Sequence, residues 1–315
     1  MNILKVLGIL LLVILITTTS CGVGLVIGAA AGGDDLALGQ PAVAVVYVEG
    51  PIQGGQASGL FDSAGAHSET IVSQLRRAER DNAVKAVILR VDSPGGGVTP
   101  SDEIRNQVVK LAQKKPVVAS FGSLAASGGY YVSAAASKIV SNETTITGSI
   151  GVITVVPNIQ GLMEKLGIDV SVLKSGPQKD ETAGLRPLTE TDRQVLQGVV
   201  DESFERFVTV VSEGRNMPKD QVKKLADGRI YTGSQAMKLG LVDQFGDLPE
   251  AIQAAADLGH IGGNPRVIHY QRGGGIFGGA GSTLLERFGL PVLPLPASGG
   301  NQQQPFSIQY LYIAP

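Results

Sequence analysis

Two glycine-rich stretches hold the residues best suited to chemistry. The first is Asp92-Ser93-Pro94-Gly95-Gly96-Gly97, the second Gly122-Ser123-Leu124-Ala125-Ala126-Ser127-Gly128-Gly129. Ser127 sits in an Ala-x-Ser-x-Gly pattern, whose small neighbours permit a sharp strand-to-helix turn that presents a hydroxyl. The N–H of Gly128 would then lie near a helix start, where unpaired donors stabilise an anion. The neighbouring triple glycine would supply a second N–H. Two such donors form an oxyanion hole, each worth about 3 kcal/mol to a tetrahedral intermediate. The chemistry suggested is attack by a hydroxyl on a carbonyl. Each stretch taken alone also fits an ordinary turn. Neither carries the GxxxxGK[ST] phosphate loop, or GxGxxG with a suitably placed acid.

A serine nucleophile needs a base. The three histidines stand at 67, 260 and 269, none between Ser127 and residue 259. Carboxylates or a lysine remain. A lysine accepts a proton only where burial depresses its pKa toward neutrality. Lys138, Lys165, Lys174 and Lys179 follow Ser127. The first two lie in polar surroundings. Lys174 and Lys179 flank the loop Ser175-Gly176-Pro177-Gln178. Residue types alone do not choose between these two, and each also fits a surface lysine. Asp92 reads as structural or interfacial, and Asp180 as a local cap or pair, because a charged carboxylate beside a lysine raises its pKa.

The elements that must position these groups follow from periodicity. Ala42–Val48 is a short apolar, β-branched run and predicts a buried strand. A helix is expected over Ser68–Arg80, with Ser68 as its cap. A strand over Ala86–Val91, a loop over Asp92–Gly97 and a helix over Pro100–Gln113 follow. Next come a strand over Val117–Ser120 and a helix over Ala125–Ala136. Strand alternating with helix implies right-handed crossovers and a mainly parallel sheet. In such sheets ligands bind beyond the carboxyl ends of the strands, where both glycine stretches fall. Further along, a helix is expected near Ile159–Leu166, a strand over Asp169–Leu173, a long amphipathic helix over Thr189–Arg215 and a last helix over Pro249–Leu258.

Composition narrows the function classes. Of 315 residues, 43% are apolar, enough for a sizeable core. The 26 basic and 28 acidic residues leave a net charge of −2, so no basic surplus drives nucleic-acid binding. One cysteine excludes an intrachain disulfide and a cysteine-based zinc site. No cofactor or metal is expected. The 42 glycines show no G-X-Y period.

The N-terminus reads as an export segment. Lys5 precedes an apolar run from Val6 to Ile16, followed by Thr17–Ser20 and Cys21. That run is too short to span a bilayer, which takes ~20 residues. A second apolar stretch, Gly22–Ala31, would allow residues 1–31 to remain as an uncleaved anchor. Thr-Ser-Cys also resembles a bacterial lipoprotein site with Cys21 as the acylated residue, although Thr18 departs from the larger apolar residue usual there. Either route predicts export, membrane attachment and a catalytic bulk outside the cytoplasm. Residues 32–41 read as a linker, 42–258 as the catalytic domain and 259–315 as a glycine- and proline-rich tail. Within that tail, Phe306–Pro315 alternates. It reads as a frayed end, or as a strand pairing with a neighbour or filling the chain's own groove.

Several blocks carry a resemblance. Gly122–Tyr131 resembles the nucleophile segment of the bacterial signal peptide peptidases of the protease IV type. Thr147-Gly148-Ser149-Ile150-Gly151-Val152, Lys174–Asp180, and Tyr231-Thr232-Gly233 with Gly240-Leu241-Val242-Asp243 resemble that family's later blocks, in its order and spacing. The likeness runs from about Val45 to Leu258 and fits the short form of the family. It implies Ser127 as nucleophile and Lys179 as general base, 52 residues later, in preference to Lys174. Ser149 would orient the lysine. Gly96 and Gly128 would supply the oxyanion N–H groups, with Gly95 shaping the loop. The implied fold is an α/β one, the Clp/crotonase-like spiral of ββα units. The implied assembly is a homo-oligomeric ring, in the short form of eight subunits, whose sites draw residues from neighbouring subunits. The implied substrates are apolar peptides such as cleaved signal peptides. The alternatives are a crotonase-like acyl-CoA enzyme and a catalytically silent membrane scaffold of the same fold. Export argues against the first, because CoA is cytoplasmic, and the intact Ser127 and Lys179 argue against the second.

Overall fold

The run Ala42–Glu49 forms β1, the second strand in from one edge of the main sheet, with neighbours on both sides. Both its faces are buried, Val43 and Val45 on one and Ala44, Val46 and Val48 on the other, as a parallel strand covered by helices requires. The computed structural model describes residues 40–56, 65–270 and 308–311. The elements after β1 are β2 (Ile52–Gln53), β3 (Ala66–His67), α1 (Ser68–Arg80), β4 (Val84–Ser93), β5 (Gly95–Gly97), α2 (Val98–Ala112), β6 (Val117–Ala126) and α3 (Gly128–Ser133). There follow β7 (Lys138–Ser141), β8 (Ile146–Gly148), β9 (Ile153–Thr154), α4 (Gln160–Leu166), α5 (Glu190–Arg215), α6 (Lys219–Leu225) and β10 (Ile230–Thr232). The chain continues through α7 (Gly233–Lys238), β11 (Gln244–Phe245), α8 (Leu248–Leu258), β12 (Arg266–Tyr270) and β13 (Ile308–Leu311).

The main sheet runs β10-β8-β6-β4-β1-β12, with β7 branching from β6 and β11 from β7. All its pairings are parallel except β10 with β8. One face packs on α1, α2, α3 and α5, through Leu75, Ile104, Leu111 and Phe207 among others. The other face packs on α8, whose Ala251, Ala254 and Ala255 have no bulk to hold the helix off Val43, Val45, Ile88 and Val118. A second, smaller sheet runs β3-β2-β5-β13-β9 and crosses the mouth of the first glycine stretch.

The alternating α/β order and the parallel sheet match expectation, and several boundaries move. The first glycine stretch is not wholly a loop: Asp92 and Ser93 end β4, and Gly95–Gly97 pair as β5. The second is strand as far as Ala126, because β6 pairs with β7 over Val118–Ser120 and with β8 over Leu124–Ala126. The helix expected from Ala125 therefore starts at Gly128. His67, not Ser68, holds the N-cap of α1, and the Ser68 hydroxyl donates to Glu103 at 2.6 Å. No strand forms over Asp169–Leu173. Its residues are exposed and pair with no strand among the described residues. The sheet also runs past residue 258: β12 adds a parallel edge strand to β1, so the tail expected from 259 begins later. Residues 1–31, including Cys21, and most of the linker lie outside the described residues. Among the described residues no helix is long and apolar enough to cross a membrane.

Candidate active site

Ser127 joins β6 to α3 at φ 53° and ψ −116°, a conformation L-residues rarely adopt. Neighbouring groups over-determine it. The Ser127 N–H donates to Gly148 O at 2.8 Å, and the Tyr131 N–H donates to Ser127 O at 2.8 Å. On the adjoining β8, the Thr147 hydroxyl donates to Ala125 O at 2.7 Å. Thr145 does the same to Gly122 O, also at 2.7 Å. The whole of α3 is buried, and its two tyrosines anchor it. Tyr131 Oη donates to Asp102 Oδ1 at 2.5 Å and its ring meets Phe207 edge-on. Tyr130 Oη donates to Leu241 O at 3.0 Å, and burial pushes its phenol well above the usual range.

The glycines here are required by contact. A Cβ on Gly129 would lie 2.9 Å from Ser93 O. One on Gly128 would lie 2.8 Å from Ser101 Oγ and 3.1 Å from the backbone N of Gly96. The amide of Gly96 therefore closes on the turn that carries Ser127, as an oxyanion pair demands. Gly96 approaches β2 so closely that a Cβ would fall 2.1 Å from Ile52 O. Gly95 acts on loop shape: its N–H donates to Ser93 Oγ at 3.1 Å, and that hydroxyl donates to Gly50 O at 2.7 Å. Sequence reasoning missed Ser93 and Ser101. Both are fully buried, and the Ser101 hydroxyl donates to Gly97 O at 2.8 Å. The signal lay in a hydroxyl placed on each side of three glycines, which need side-chain anchors because they have none.

Ser127 Oγ is buried and has no hydrogen-bond partner among the described residues. Ser149 follows the β8 end that accepts the Ser127 N–H. It holds φ 50°, is 7% exposed, and its N–H donates to Arg229 O at 2.8 Å. Gly148 before it has φ 77°, and a Cβ there would meet the Tyr231 ring at 2.5 Å. Asp92 Oδ1 accepts the Leu124 N–H at 3.0 Å, a structural role that braces the start of the turn.

The two lysines of the later block differ. Lys174 Nζ donates to both oxygens of Asp180, at 2.8 and 2.9 Å, and to Pro177 O at 3.0 Å. Arg186 donates to the same carboxylate and to Asp192. These hydrogen bonds, first from Arg186 and then from Lys174, hold the Asp180 carboxyl well below the usual range. Lys174 is thus held in an ion pair with Asp180. Lys179 is exposed on the same loop and makes no bond to Ser127 within the chain. His269 lies on β12, three strands from β6, on the order of 14 Å away, with its Nδ1 on Tyr47 Oη. Among the described residues no cluster of His, Cys, Asp or Glu is set to hold a metal.

The arrangement suits acyl transfer from a serine: a strained, buried hydroxyl at the start of a buried helix, with the backbone of Gly96 packed against Gly128 beside it. Comparison with known proteins agrees. The family description Peptidase family S49 matches residues 109–261, and Clp protease matches residues 62–146. An Enterococcus faecium protein named as a signal peptide peptidase is 43% identical over 208 residues, covering 66% of this chain and 60% of its own. A Methanocaldococcus jannaschii protein named as a protease is 36% identical over 279 residues, covering 87% and 89%. Protease 4 of Haemophilus influenzae is 41% identical over 217 residues, covering 69% of this chain and 34% of its own. The match thus spans a little over half of the first relative and about a third of the last. The α/β fold with its mainly parallel sheet is Clp-protease-like.

Proposed function

The chain belongs to peptidase family S49, and we propose that it is a membrane-attached serine endopeptidase acting on apolar peptides such as cleaved signal peptides. One observation carries this reading. Among the described residues, the Ser127 hydroxyl is buried and unpartnered on a strained turn, where the backbone of Gly96 packs against Gly128. Ser127 Oγ attacks the scissile carbonyl. The carbonyl oxygen, becoming an anion, takes hydrogen bonds from the N–H groups of Gly96 and Gly128. Lys179 accepts the serine proton and returns it to the leaving amine. Ser149 orients the Lys179 side chain. Water then repeats the cycle on the acyl-enzyme.

Lys179 reaches a serine in a homo-oligomer, we infer, with the dyad completed across a subunit boundary. Two features support this: Ser127 Oγ lacks an intrachain partner, and the segment that carries the lysine exposes Leu162, Leu166, Ile168 and Leu173. Contiguous apolar exposure of this kind marks an interaction surface. Burial at that boundary would also supply the desolvation that a lysine base needs. Attachment to the membrane rests on residues 1–31 or on a lipid at Cys21.

The test is covalent labelling of the full chain in membranes by a fluorophosphonate, with hydrolysis of an apolar chromogenic peptide in parallel. Ser127 takes the label, and Ser127→Ala lowers kcat by at least about 10⁴-fold. Full activity in that variant would remove the assignment. Labelling also separates an enzyme from a silent scaffold, and turnover of a peptide but not an acyl-CoA separates it from a crotonase-like enzyme.

A further inference from the structure

One flank of α1 carries a stripe of residues that catalysis does not use. Ser73, Arg76, Arg77 and Arg80 stand at i, i+3, i+4 and i+7, so they share one side of the helix, and all four are exposed. With Asp81 they line an open groove of about 550 Å³. Among the described residues no carboxylate forms an ion pair with any of the three arginines. Asp81 is turned to its own backbone, where its Oδ1 accepts the Ala83 N–H at 2.9 Å. Glu79, next to Arg80 in sequence, is taken up by Lys114 and by Gln107 Nε2 at 2.9 Å. The carbonyl end of a helix ordinarily repels an anion. Here Lys115 covers that end, donating to Ala78 O at 2.7 Å and to Asp81 O at 2.6 Å. Behind the groove, the Arg77 guanidinium lies 5.1 Å over the Tyr270 ring. Tyr270 is 7% exposed and its hydroxyl has no hydrogen-bond partner among the described residues, so an unspent donor backs the arginine wall.

We propose that this groove binds the phosphate of an anionic phospholipid headgroup, and so fixes which side of the domain rests on a bilayer. The proposal rests on the membrane-attached reading and adds to it a contact made by the folded domain itself. A guanidinium meets phosphate oxygens through two N–H groups at once, which suits Arg76, Arg77 and Arg80 to a phosphodiester. The place where the chain enters the domain favours a lipid over a soluble anion. The Ala42 N–H donates to Ala83 O at 2.8 Å, three residues past Arg80. Ala42 begins β1, and residues 32–41 separate it from the apolar stretch that ends at Ala31. Such a linker reaches at most about 35 Å when fully extended. An apolar segment inserted in a bilayer would therefore keep the arginine stripe close to the headgroups. The attraction of basic groups to an anionic leaflet fades within a Debye length, ~10 Å at 0.1 M salt, so the contact is sensitive to salt.

The experiment mixes the full chain with vesicles of phosphatidylcholine, made with or without phosphatidylglycerol. Flotation reads attachment. Phenylglyoxal labelling, followed by peptide mass spectrometry, reads the accessibility of Arg76, Arg77 and Arg80, with Arg193, exposed on α5, as the internal control. The chain is expected to float with both vesicle types. The three arginines should label at least about fivefold more slowly on phosphatidylglycerol vesicles, the gain for one basic group at an anionic surface. High salt should abolish that difference, and Arg193 should label equally throughout. Arg77→Gln should weaken the protection of Arg76 and Arg80; unchanged protection would mean mere closeness to the bilayer and overturns the groove. Equal labelling of the parent chain on both vesicle types, with flotation intact, overturns the groove and leaves the attachment reading standing. Flotation only with phosphatidylglycerol, reversed by salt, keeps the groove and overturns attachment through residues 1–31. Flotation with neither overturns both. Equal protection by soluble glycerol phosphate without vesicles would assign the groove to a free phosphate and overturn the headgroup.

Discussion

A serine held at φ 53° and ψ −116° stores strain of order 1–3 kcal/mol, which the surrounding bonds must offset. They do so with the Ser127 N–H on Gly148 O, and with Thr145 and Thr147 tying β8 to the carbonyls of β6. The return is a buried, unpartnered hydroxyl on the turn where Gly96 packs against Gly128. The two lysines differ in their contacts: Lys174 is bonded to Asp180 and Pro177 O, which favours Lys179 as the proposed base. Lys179→Ala should therefore lower kcat by about 10²- to 10⁴-fold. Lys174→Ala should keep activity within a few-fold while lowering Tm. Peptide-hydrolysis rates and thermal melts of the two variants decide this, and an inactive but thermally unchanged Lys174→Ala would reverse the roles.

At the level of elements, α5 starts at a knot that also fixes the lysine loop. Thr189 caps the helix in a reciprocal box with Asp192. Arg186 then bridges Asp192 at 2.5 Å and Asp180 at 2.8 Å. These contacts, led by the Arg186 hydrogen bonds, depress both carboxyls. A carboxyl whose folded pKa lies below its unfolded value adds stability above the unfolded pKa, near 4, and loses it as the pH falls toward the folded pKa. Arg186→Gln should thus lower Tm by several degrees at pH 7. The gap from the parent chain should narrow as the pH falls from about 5 to 3. Melts across that range test it, and a gap independent of pH would show that the knot contributes by packing alone. At its other end α5 crosses α3 closely: a Cβ on Gly214 would fall 1.8 Å from Ala134 O. One helix therefore connects the lysine loop to the helix that seats the serine.

The molecule as a whole is asymmetric in how well it is finished. The sheet and its two helical faces are closed, whereas α4 buries no residue and Leu173 is 99% exposed. Burying such side chains is worth about 1.5–3 kcal/mol each, which a subunit boundary would recover. Leu173→Asp should shift the chain to smaller species by light scattering and lower peptidase activity in step. Mixing inactive Ser127→Ala with inactive Lys179→Ala should restore part of the rate, because a site shared between subunits can take its serine from one and its lysine from the other. No recovery on mixing, with the oligomer intact, would place the dyad within one chain.

The alternation of strand and helix, the parallel sheet and the strand-to-helix turn at Ser127 were legible in the residues. Each depends on a short-range rule: β-branched runs, helical spacing, and small residues where backbones must touch. Val43 to Val48, the span of α5 and the Gly128-Gly129 pair are of this kind. Other features depended on long-range pairing. Asp169–Leu173 has a strand-like sequence but pairs with no strand among the described residues and stays exposed. Ala125-Ala126 reads as the start of a helix but is strand, because β8 arrives alongside. Gly95–Gly97 has the composition of a turn and becomes a strand because β2 and β13 flank it. Periodicity reports what a segment prefers, and only the fold supplies the partner that completes it. The opening list of glycines and lysines thus named the chemistry, and the family resemblance with its spacing chose Lys179 over Lys174, while the ion pair between Lys174 and Asp180 is a contact that only the fold displays.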